Sequence, residues 1–330
     1  MKKRFVWGAA AAVLCAAFVV VLAGCNNPTR GNGNGITSAG INWTAVEYST
    51  FGGGNIFSIA WGGGRFVAGG AGGRMAHSTD GITWTVVENS TFEGQVRAIV
   101  WVNGRFVAVG GGSRMAHSTD GINWTAVEYS TFGDFDTILG IAWGNGRFVA
   151  GGTGGKMAHS TDGITWTAVE DSIFGGNSTV MGIAWGNGRF VAGGQNGRMA
   201  HSTDGITWTA VKDSIFGGNS TVMGIAWGNG RFVAVRDGGR MAHSTDGITW
   251  TAMEYSTFDY YNMVTGIAWG SGRFVAGGTG GRMAHSTDGI TWTAVEDSRF
   301  GDSRIFEITW GNNRFVAVGA DSRIAVSTGN

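Results

Sequence analysis

Polar and aromatic side chains stand alone at a few positions of a chain that otherwise repeats itself. They are Glu93, Asp134, Phe135, Asp136, Arg236, Asp237, Asp259, Tyr260, Tyr261, Asn262 and Arg304. Tyrosines beside Asp and Asn are typical of surfaces that stack on sugars and of hot spots in protein interfaces. We therefore take these residues as candidates for binding a protein or a glycan.

Some of the acids could instead cleave a glycosidic bond. That reaction needs two carboxylates, or a tyrosine with a carboxylate partner, facing each other across one site. Among the acids that the repeat does not fix, those placed for this reaction are Glu93, Asp134, Asp136 and Asp259. Nothing in their spacing pairs them, and the Gly-rich turns lack the strand-to-helix context of a phosphate loop. Binding is therefore favoured over catalysis.

Histidines recur at regular intervals, which could suggest a metal site. They are His77, His117, His159, His201, His243 and His285. Metal ligands must converge within a few ångströms, whereas equivalent positions in adjacent packed sheets lie about 10 Å apart. We expect no metal and no other cofactor.

A unit of about forty residues positions all of these side chains. Its first tryptophan row is Trp61, Trp101, Trp143, Trp185, Trp227, Trp269 and Trp310. Its second row is Trp43, Trp84, Trp124, Trp166, Trp208, Trp250 and Trp292. A fixed period of this size indicates stacked units, none of which can bury its apolar face alone.

One unit predicts four short antiparallel strands. Over residues 56–88 we predict strands at 56–61, 65–68, 74–78 and 82–88, separated by turns of Gly, Asn and Asp. Four strands per period of this length match one blade of a β-propeller. The predicted fold is all-β.

The two ends of the repeat region complete each other. The last unit stops after its third strand, and residues 41–47 form an orphan fourth strand at the start. The predicted architecture is a seven-bladed β-propeller over residues 41–330. The N-terminal strand would complete the C-terminal blade, so that the ring has no free edge.

The turn before the fourth strand resembles the Asp-box of BNR-repeat propellers, the group that includes sialidases. It reads Ser78-Thr79-Asp80-Gly81-Ile82-Thr83-Trp84 and has Asp and Gly adjacent, where the usual pattern has a residue between them. The resemblance implies a structural role, away from an active face, for Asp80, Asp120, Asp162, Asp204, Asp246 and Asp288.

The first 24 residues read as a targeting segment, with Lys2, Lys3 and Arg4 before an uncharged apolar run. Leu22-Ala23-Gly24-Cys25 resembles the lipobox of bacterial lipoproteins, which implies cleavage before Cys25 and its acylation. Residues 25–40 would then be a lipidated, flexible tether. An uncleaved transmembrane anchor is the alternative. Both place the repeats outside the cytoplasm, held to a lipid bilayer of the bacterial cell envelope, on its periplasmic or surface side.

Charge and cysteine content exclude other classes. The chain has 23 basic and 23 acidic residues, and loss of the three basic residues before the apolar run would leave a net charge of −3. Without a basic run in the repeats, no nucleic-acid partner is expected. The chain has two cysteines, Cys15 and Cys25, so the repeats hold no disulfide.

The units differ from one another on only two of their four connections. The first–second turn (WGNGRF) and the third–fourth turn (STDGITW) barely vary, whereas the second–third turn and the segment between blades do. Alternate turns of an antiparallel meander lie at opposite ends, so the varying connections share one face of the ring. We call it the variable face and the opposite one the constant face. A rigid scaffold with diversified loops on one face predicts a membrane-anchored binding or scaffold protein. A periplasmic assembly factor, a purely structural repeat protein, loop variation by neutral drift and, less favoured, a sialidase-type hydrolase are the alternatives.

Overall fold

A computed structural model describes residues 41–134, 136–212, 215–253, 257–258 and 262–328. These residues form 28 strands in seven four-stranded antiparallel sheets. Blade 1 consists of β2 (Ile56–Gly62), β3 (Arg65–Gly70), β4 (Met75–Ser78) and β5 (Thr85–Val86). Blade 2 consists of β6 (Val96–Val102), β7 (Arg105–Gly110), β8 (Met115–Ser118) and β9 (Thr125–Ala126). Blade 3 consists of β10 (Ile138–Gly144), β11 (Arg147–Gly152), β12 (Met157–Ser160) and β13 (Thr167–Ala168).

The remaining blades follow the same order. Blade 4 consists of β14 (Val180–Gly186), β15 (Arg189–Gly194), β16 (Met199–Ser202) and β17 (Thr209–Ala210). Blade 5 consists of β18 (Val222–Gly228), β19 (Arg231–Arg236), β20 (Met241–Ser244) and β21 (Thr251–Ala252). Blade 6 consists of β22 (Val264–Gly270), β23 (Arg273–Gly278), β24 (Met283–Ser286) and β25 (Thr293–Ala294). Blade 7 consists of β26 (Ile305–Gly311), β27 (Arg314–Gly319), β28 (Ile324–Thr328) and β1 (Asn42–Ala45).

Single 3-10 turns join the second and third strands of six blades. Their bounds are Ala71–Gly73, Thr153–Gly155, Gln195–Gly197, Asp237–Gly239, Thr279–Gly281 and Ala320–Ser322. No helix within the described ranges is long and apolar enough to cross a membrane.

The first strand of each blade lines the centre of the ring. Each of these inner strands packs on the inner strand of the next blade, and β26 packs on β2, which closes the circle. The seven-bladed β-propeller predicted from the repeat is therefore confirmed.

The N-terminal strand closes the ring, as the orphan strand predicted. β1 pairs with β28 over four residue pairs, from Asn42 opposite Thr328 to Ala45 opposite Ala325. In each of blades 1 to 6 the third and fourth strands share only two residue pairs. The blade assembled from both ends of the chain thus has the longest outer pairing.

The predicted fourth strand was too long. Instead of residues 82–88, β5 covers only Thr85–Val86. The reason is local, because the backbone N–H groups of Ile82 and Thr83 both donate to Oδ1 of Asp80, each at 2.8 Å. N–H groups held by a turn cannot join a ladder, so the strand begins after Trp84.

Tryptophans of the first row form the contact between neighbouring blades. Trp101 lies against Gly62 of the preceding blade, where a Cβ would come within 1.8 Å of its indole Cγ. Glycine is therefore required at this position for the blades to approach. Within each blade the same tryptophan packs on a phenylalanine, as Trp61 does on Phe66 at a centroid distance of 4.4 Å.

Candidate functional site

The variable face carries a depression of about 780 Å³ over blades 2, 3 and 4. It is bounded by the segments between blades and by the second–third turns, the two connections in which the units differ. Its lining includes Glu93, Gln95, Arg97, Arg114, Asp134, Thr137, Leu139, Thr153, Thr179, Met181 and Gln195.

Three side chains from the inner strands form the floor of this depression, of which Leu139 and Met181 are apolar and Arg97 is cationic. Leu139 and Met181 are buried and form a cluster with Met223 of the next blade. Each is the second residue of its inner strand, and the pairing of that strand shifts register at this residue. A bulge of this kind re-aims a side chain, here toward the axis of the ring.

On the opposite side of the ring this strand position is held by Phe306, Phe57 and Arg97, and Arg304 lies just before the inner strand of blade 7. The rings of Phe57 and Phe306 meet edge to face at 5.2 Å. The guanidinium of Arg97 lies 4.3 Å from the ring centre of Phe57, and that of Arg304 lies 5.2 Å from Phe306. Such contacts stabilise a desolvated cation. The axis is therefore apolar beside blades 3 to 5 and aromatic with cationic groups beside blades 7, 1 and 2.

Sequence reasoning missed most of this floor, although a signal was present. The second residue of the inner strand is Phe, Arg, Leu, Met, Met, Thr and Phe in blades 1 to 7. It varies more than the rest of the strand, which reads GIAWG in most units. Variation inside an otherwise constant strand marks a position that faces the axis.

Two candidate acids lie at the rim of the depression. Glu93 pairs with Arg114 at 2.9 Å, and both side chains are largely exposed, so the pair contributes little to stability. Asp134 is exposed and also lines the depression.

Asp136 organises its own turn. Its carboxylate accepts hydrogen bonds from Lys156 Nζ at 2.6 Å, from the hydroxyl of Thr153 at 3.0 Å and from the N–H of Gly133 at 2.9 Å. Burial opposes ionisation, but these donors outweigh it and hold the pKa of Asp136 below its ordinary value. The carboxylate is thus already engaged within the chain.

The candidates in blades 5 to 7 lie on the same face but outside the depression. Arg236 is buried and donates to the carbonyl of Phe216 at 2.9 Å, and Asp237 accepts from the N–H of Thr221 at 3.1 Å. The amide oxygen of Asn262 accepts from the hydroxyl of Thr279 at 3.2 Å. The candidates Phe135, Asp259, Tyr260 and Tyr261 lie outside the described residues, as does Cys25.

The constant face is held by hydrogen bonds that repeat from blade to blade. In blades 1 to 6, Oδ1 of the Asp80-type carboxylate accepts two backbone N–H groups at 2.8 Å. Burial works against ionisation of Asp80, yet these donors and the Ser78 hydroxyl lower its pKa. The turns therefore carry ionised carboxylates at neutral pH.

Further bonds on this face join one blade to the next. The Asn145 side chain donates to the carbonyl of Thr203 at 3.1 Å. At the contact between blades 7 and 1, which we call the closing joint, the Asn312 side chain donates to the carbonyl of Thr79 at 3.0 Å. Equivalent bonds start from Asn187 and Asn229. The sequences of these turns barely vary between units because their side chains hold adjacent blades together.

The recurring histidines lie singly between blades. His77 Nδ1 lies 3.4 Å from Nη1 of Arg65, and burial together with that guanidinium lowers the pKa of His77. In the part of the chain that the structure describes, no three His, Cys, Asp or Glu side chains come together as metal ligands would.

A buried carboxyl marks the closing joint. Glu307 is the third residue of β26 and is 1% exposed, and its Oε2 accepts from the N–H of Ile59 in blade 1 at 2.8 Å. Burial raises the pKa of Glu307 well above its ordinary value. The other blades have Ser, Ala or Gly at this position.

Known structures share this architecture over almost their whole length. YCF48 from Cyanidioschyzon merolae is 18% identical with a TM-score of 0.67, covering 88% of this chain and 98% of that one. YCF48 bound to D1 peptide is 15% identical with a TM-score of 0.69, covering 89% and 97%. Catalytically inactive virginiamycin B lyase from Staphylococcus aureus, solved with quinupristin, is 14% identical with a TM-score of 0.71, covering 88% and 100%.

No protein-family model and no curated protein matches the sequence. At these identities the structural likenesses establish the fold alone. The chain is thus a seven-bladed β-propeller with a depression on the face where its units differ.

Proposed function

We propose that this chain is a membrane-anchored, extracytoplasmic binding protein that holds a polypeptide segment of a partner in the depression of the variable face. The observation that carries the proposal is the depression itself. Binding sites are concave and combine apolar surface with a few placed polar groups, and here two apolar side chains lie among lining residues that are mostly polar or glycine. The depression lies on the face where the units differ, whereas the polar groups of the constant face form hydrogen bonds between blades.

The chemistry of the depression favours a polypeptide over a glycan. Leu139 and Met181 lie at its base but are only 5% and 1% exposed, so most of its accessible surface comes from the polar residues and glycines around them. The rim offers hydroxyl and amide groups from Thr137, Thr179 and Gln195, which suit a peptide backbone. Sugar recognition relies on exposed aromatic rings, and the described lining residues include none.

The structural neighbours are consistent with this choice at a coarse level. One of them, YCF48, was solved with a bound D1 peptide. A role as a periplasmic assembly factor would use the same site in the same way. A hydrolase is less favoured, because Asp136 is engaged by Lys156 and Glu93 by Arg114.

The site is tested by filling it. We expect the purified chain to bind members of an array of random peptides, and Thr179→Trp combined with Gln195→Trp to abolish that binding by occupying the depression. Thr207→Trp, an exposed position on the constant face, is the matched control and should bind as the parent does. Unchanged binding by the filled variant would refute the site, and binding to a glycan array alone would replace the polypeptide by a sugar.

The anchor is tested separately. We expect the chain purified from bacterial membranes to begin at Cys25 and to carry the added mass of acyl groups there, as measured by intact-mass spectrometry. An unmodified chain that retains residues 1–24 would replace the lipid anchor by a transmembrane anchor.

A further inference from the structure

We infer that the constant face lies against the lipid bilayer, with a ring of six isoleucines inserted into its surface, so that the variable face points away from the membrane. The inference rests on the proposed membrane anchor, and it adds an orientation and a second contact. The partner surface is the polar–apolar boundary of a bilayer.

The direction of β1 places the start of the fold on the constant face. β28 begins after a second–third turn on the variable face and runs to Thr328 at the constant face. β1 is antiparallel to it and starts at Asn42, opposite Thr328. Residue 41 therefore leaves the ring on the constant side, and any chain that precedes it emerges there.

The length of that chain limits the distance to the membrane. Fifteen residues separate Cys25 from Ile41. As a glycine-rich coil they would span about 20 Å on average. An acyl group on Cys25 would thus keep the constant face within reach of the bilayer surface.

The constant face presents one exposed isoleucine per blade. The six residues are Ile82, Ile122, Ile164, Ile206, Ile248 and Ile290, each between 37% and 49% exposed. Each follows the Asp80-type carboxylate, whose oxygen holds its backbone N–H at 2.8 Å. Because the bond repeats in every turn, these side chains are held outward at one level around the ring.

The closing blade is the exception. Ile41 occupies the equivalent place before Trp43, but it is 8% exposed and packs in the core. The ring of isoleucines thus opens at the blade where the tether joins.

Charge on this face neither favours nor opposes a membrane. The ionised carboxylates of the third–fourth turns alternate with the guanidinium groups of the arginines that begin the second strands, which are Arg65, Arg105, Arg147, Arg189, Arg231, Arg273 and Arg314. Arg105, for example, donates to the carbonyl of Asp162 in the next blade at 2.7 Å. With both signs interspersed, attraction to anionic lipids is weak. Contact would therefore come from apolar burial, and it should occur on uncharged vesicles.

The test measures the depth of two spin labels on one protein. The protein is purified from bacterial membranes, so that an acylated Cys25 takes no label, and any unprocessed chain carries Cys15→Ala. It is reconstituted with phosphatidylcholine vesicles, and a label is placed at Ile206→Cys or, on the variable face, at the exposed Asn177→Cys. We expect the ratio of oxygen to nickel-chelate accessibility to be several-fold higher at residue 206 than at residue 177. Adding Ile164→Asn and Ile248→Asn should return the value at 206 to that of an aqueous site.

The outcomes separate the inference from its premise. Vesicle flotation with an aqueous label at 206 would overturn the inference and leave the anchor standing. Failure to float would overturn the anchor and the inference together, while peptide binding in the depression is measured independently. A doubled mass with dipolar broadening at 206 would overturn the inference in favour of a second copy on this face. Because the isoleucines are exposed, an unchanged melting temperature checks that the variants fold.

Discussion

The two faces of the ring use the same kinds of residue for different purposes. On the constant face Asp204 accepts two backbone N–H groups, and the same bonds recur in five other blades. On the variable face Asp136 accepts from Lys156, Thr153 and Gly133 in an arrangement that belongs to one blade. A face whose bonds join neighbours must repeat, and a face whose bonds stay within one loop is free to change. The loops of the variable face can therefore change in sequence without weakening the contacts between blades.

The largest effect is expected from opening the ring, which tests whether the contacts between blades depend on the closing strand. Deleting residues 41–47 removes β1, four pairs with β28 and the buried side chains of Ile41 and Trp43. Each buried side chain of this size contributes about 2–3 kcal/mol, so we expect loss of cooperative unfolding by calorimetry. Deleting residues 27–33 of the tether is the control and should not change the melting temperature. An unchanged transition after the first deletion would disprove closure by β1.

The next largest effect concerns Glu307, the buried acid at the contact between blades 7 and 1. Glu307 has a folded-state pKa above its ordinary value of 4.5. Its contribution to stability is thus fully present below that value and is lost as the pH rises through the folded-state pKa. The loss is about 1.4 kcal/mol per pH unit between the two values. We expect Glu307→Gln to remove this dependence and to stabilise the protein at high pH, as measured by urea unfolding over a pH series. A parallel pH profile for both proteins would contradict the assignment.

A smaller effect compares equivalent acids on the two faces. Asp204→Ala leaves two N–H groups without their acceptor and should cost about 1–3 kcal/mol of unfolding free energy. Asp136→Ala loses the ion pair with Lys156 and the hydrogen bonds from Thr153 and Gly133. Because the Lys156 and Thr153 side chains can turn to water, we expect this change to cost less than Asp204→Ala, about 1 kcal/mol. Chemical denaturation of both variants measures the difference. Equal costs would mean that the constant face is no more structural than the variable one.

The smallest change in stability should accompany the largest change in binding. Thr179→Trp with Gln195→Trp alters partly exposed rim positions, where substitutions usually change stability by less than about 0.5 kcal/mol. The melting temperature should therefore stay near that of the parent while peptide binding is lost. A large destabilisation would show that the rim is part of the core.

The sequence predicted the period, the number of blades and the strand that closes the ring, because each depends on residues repeated many times. It overestimated the fourth strand, since the two N–H groups held by Asp80 are visible only in three dimensions. It placed Glu93 and Asp134 on the right face but missed Leu139 and Met181 as the floor. A bulge decides where those side chains point, and a period-two pattern does not reveal a bulge. Glu307 was missed for another reason, because a single acid within an apolar strand says nothing of its burial.

The split blade also limits how such a chain can grow. Residues 171–182 and 213–224 are identical (DSIFGGNSTVMG), which indicates that a unit was copied. Copying a whole unit leaves the N-terminal strand unpaired and the last sheet one strand short, as before, so the two ends can still pair. Copying part of a unit would leave a sheet open. The gene can therefore change its ring only in whole blades, and each added blade would widen the ring and change which side chains form the floor of the depression.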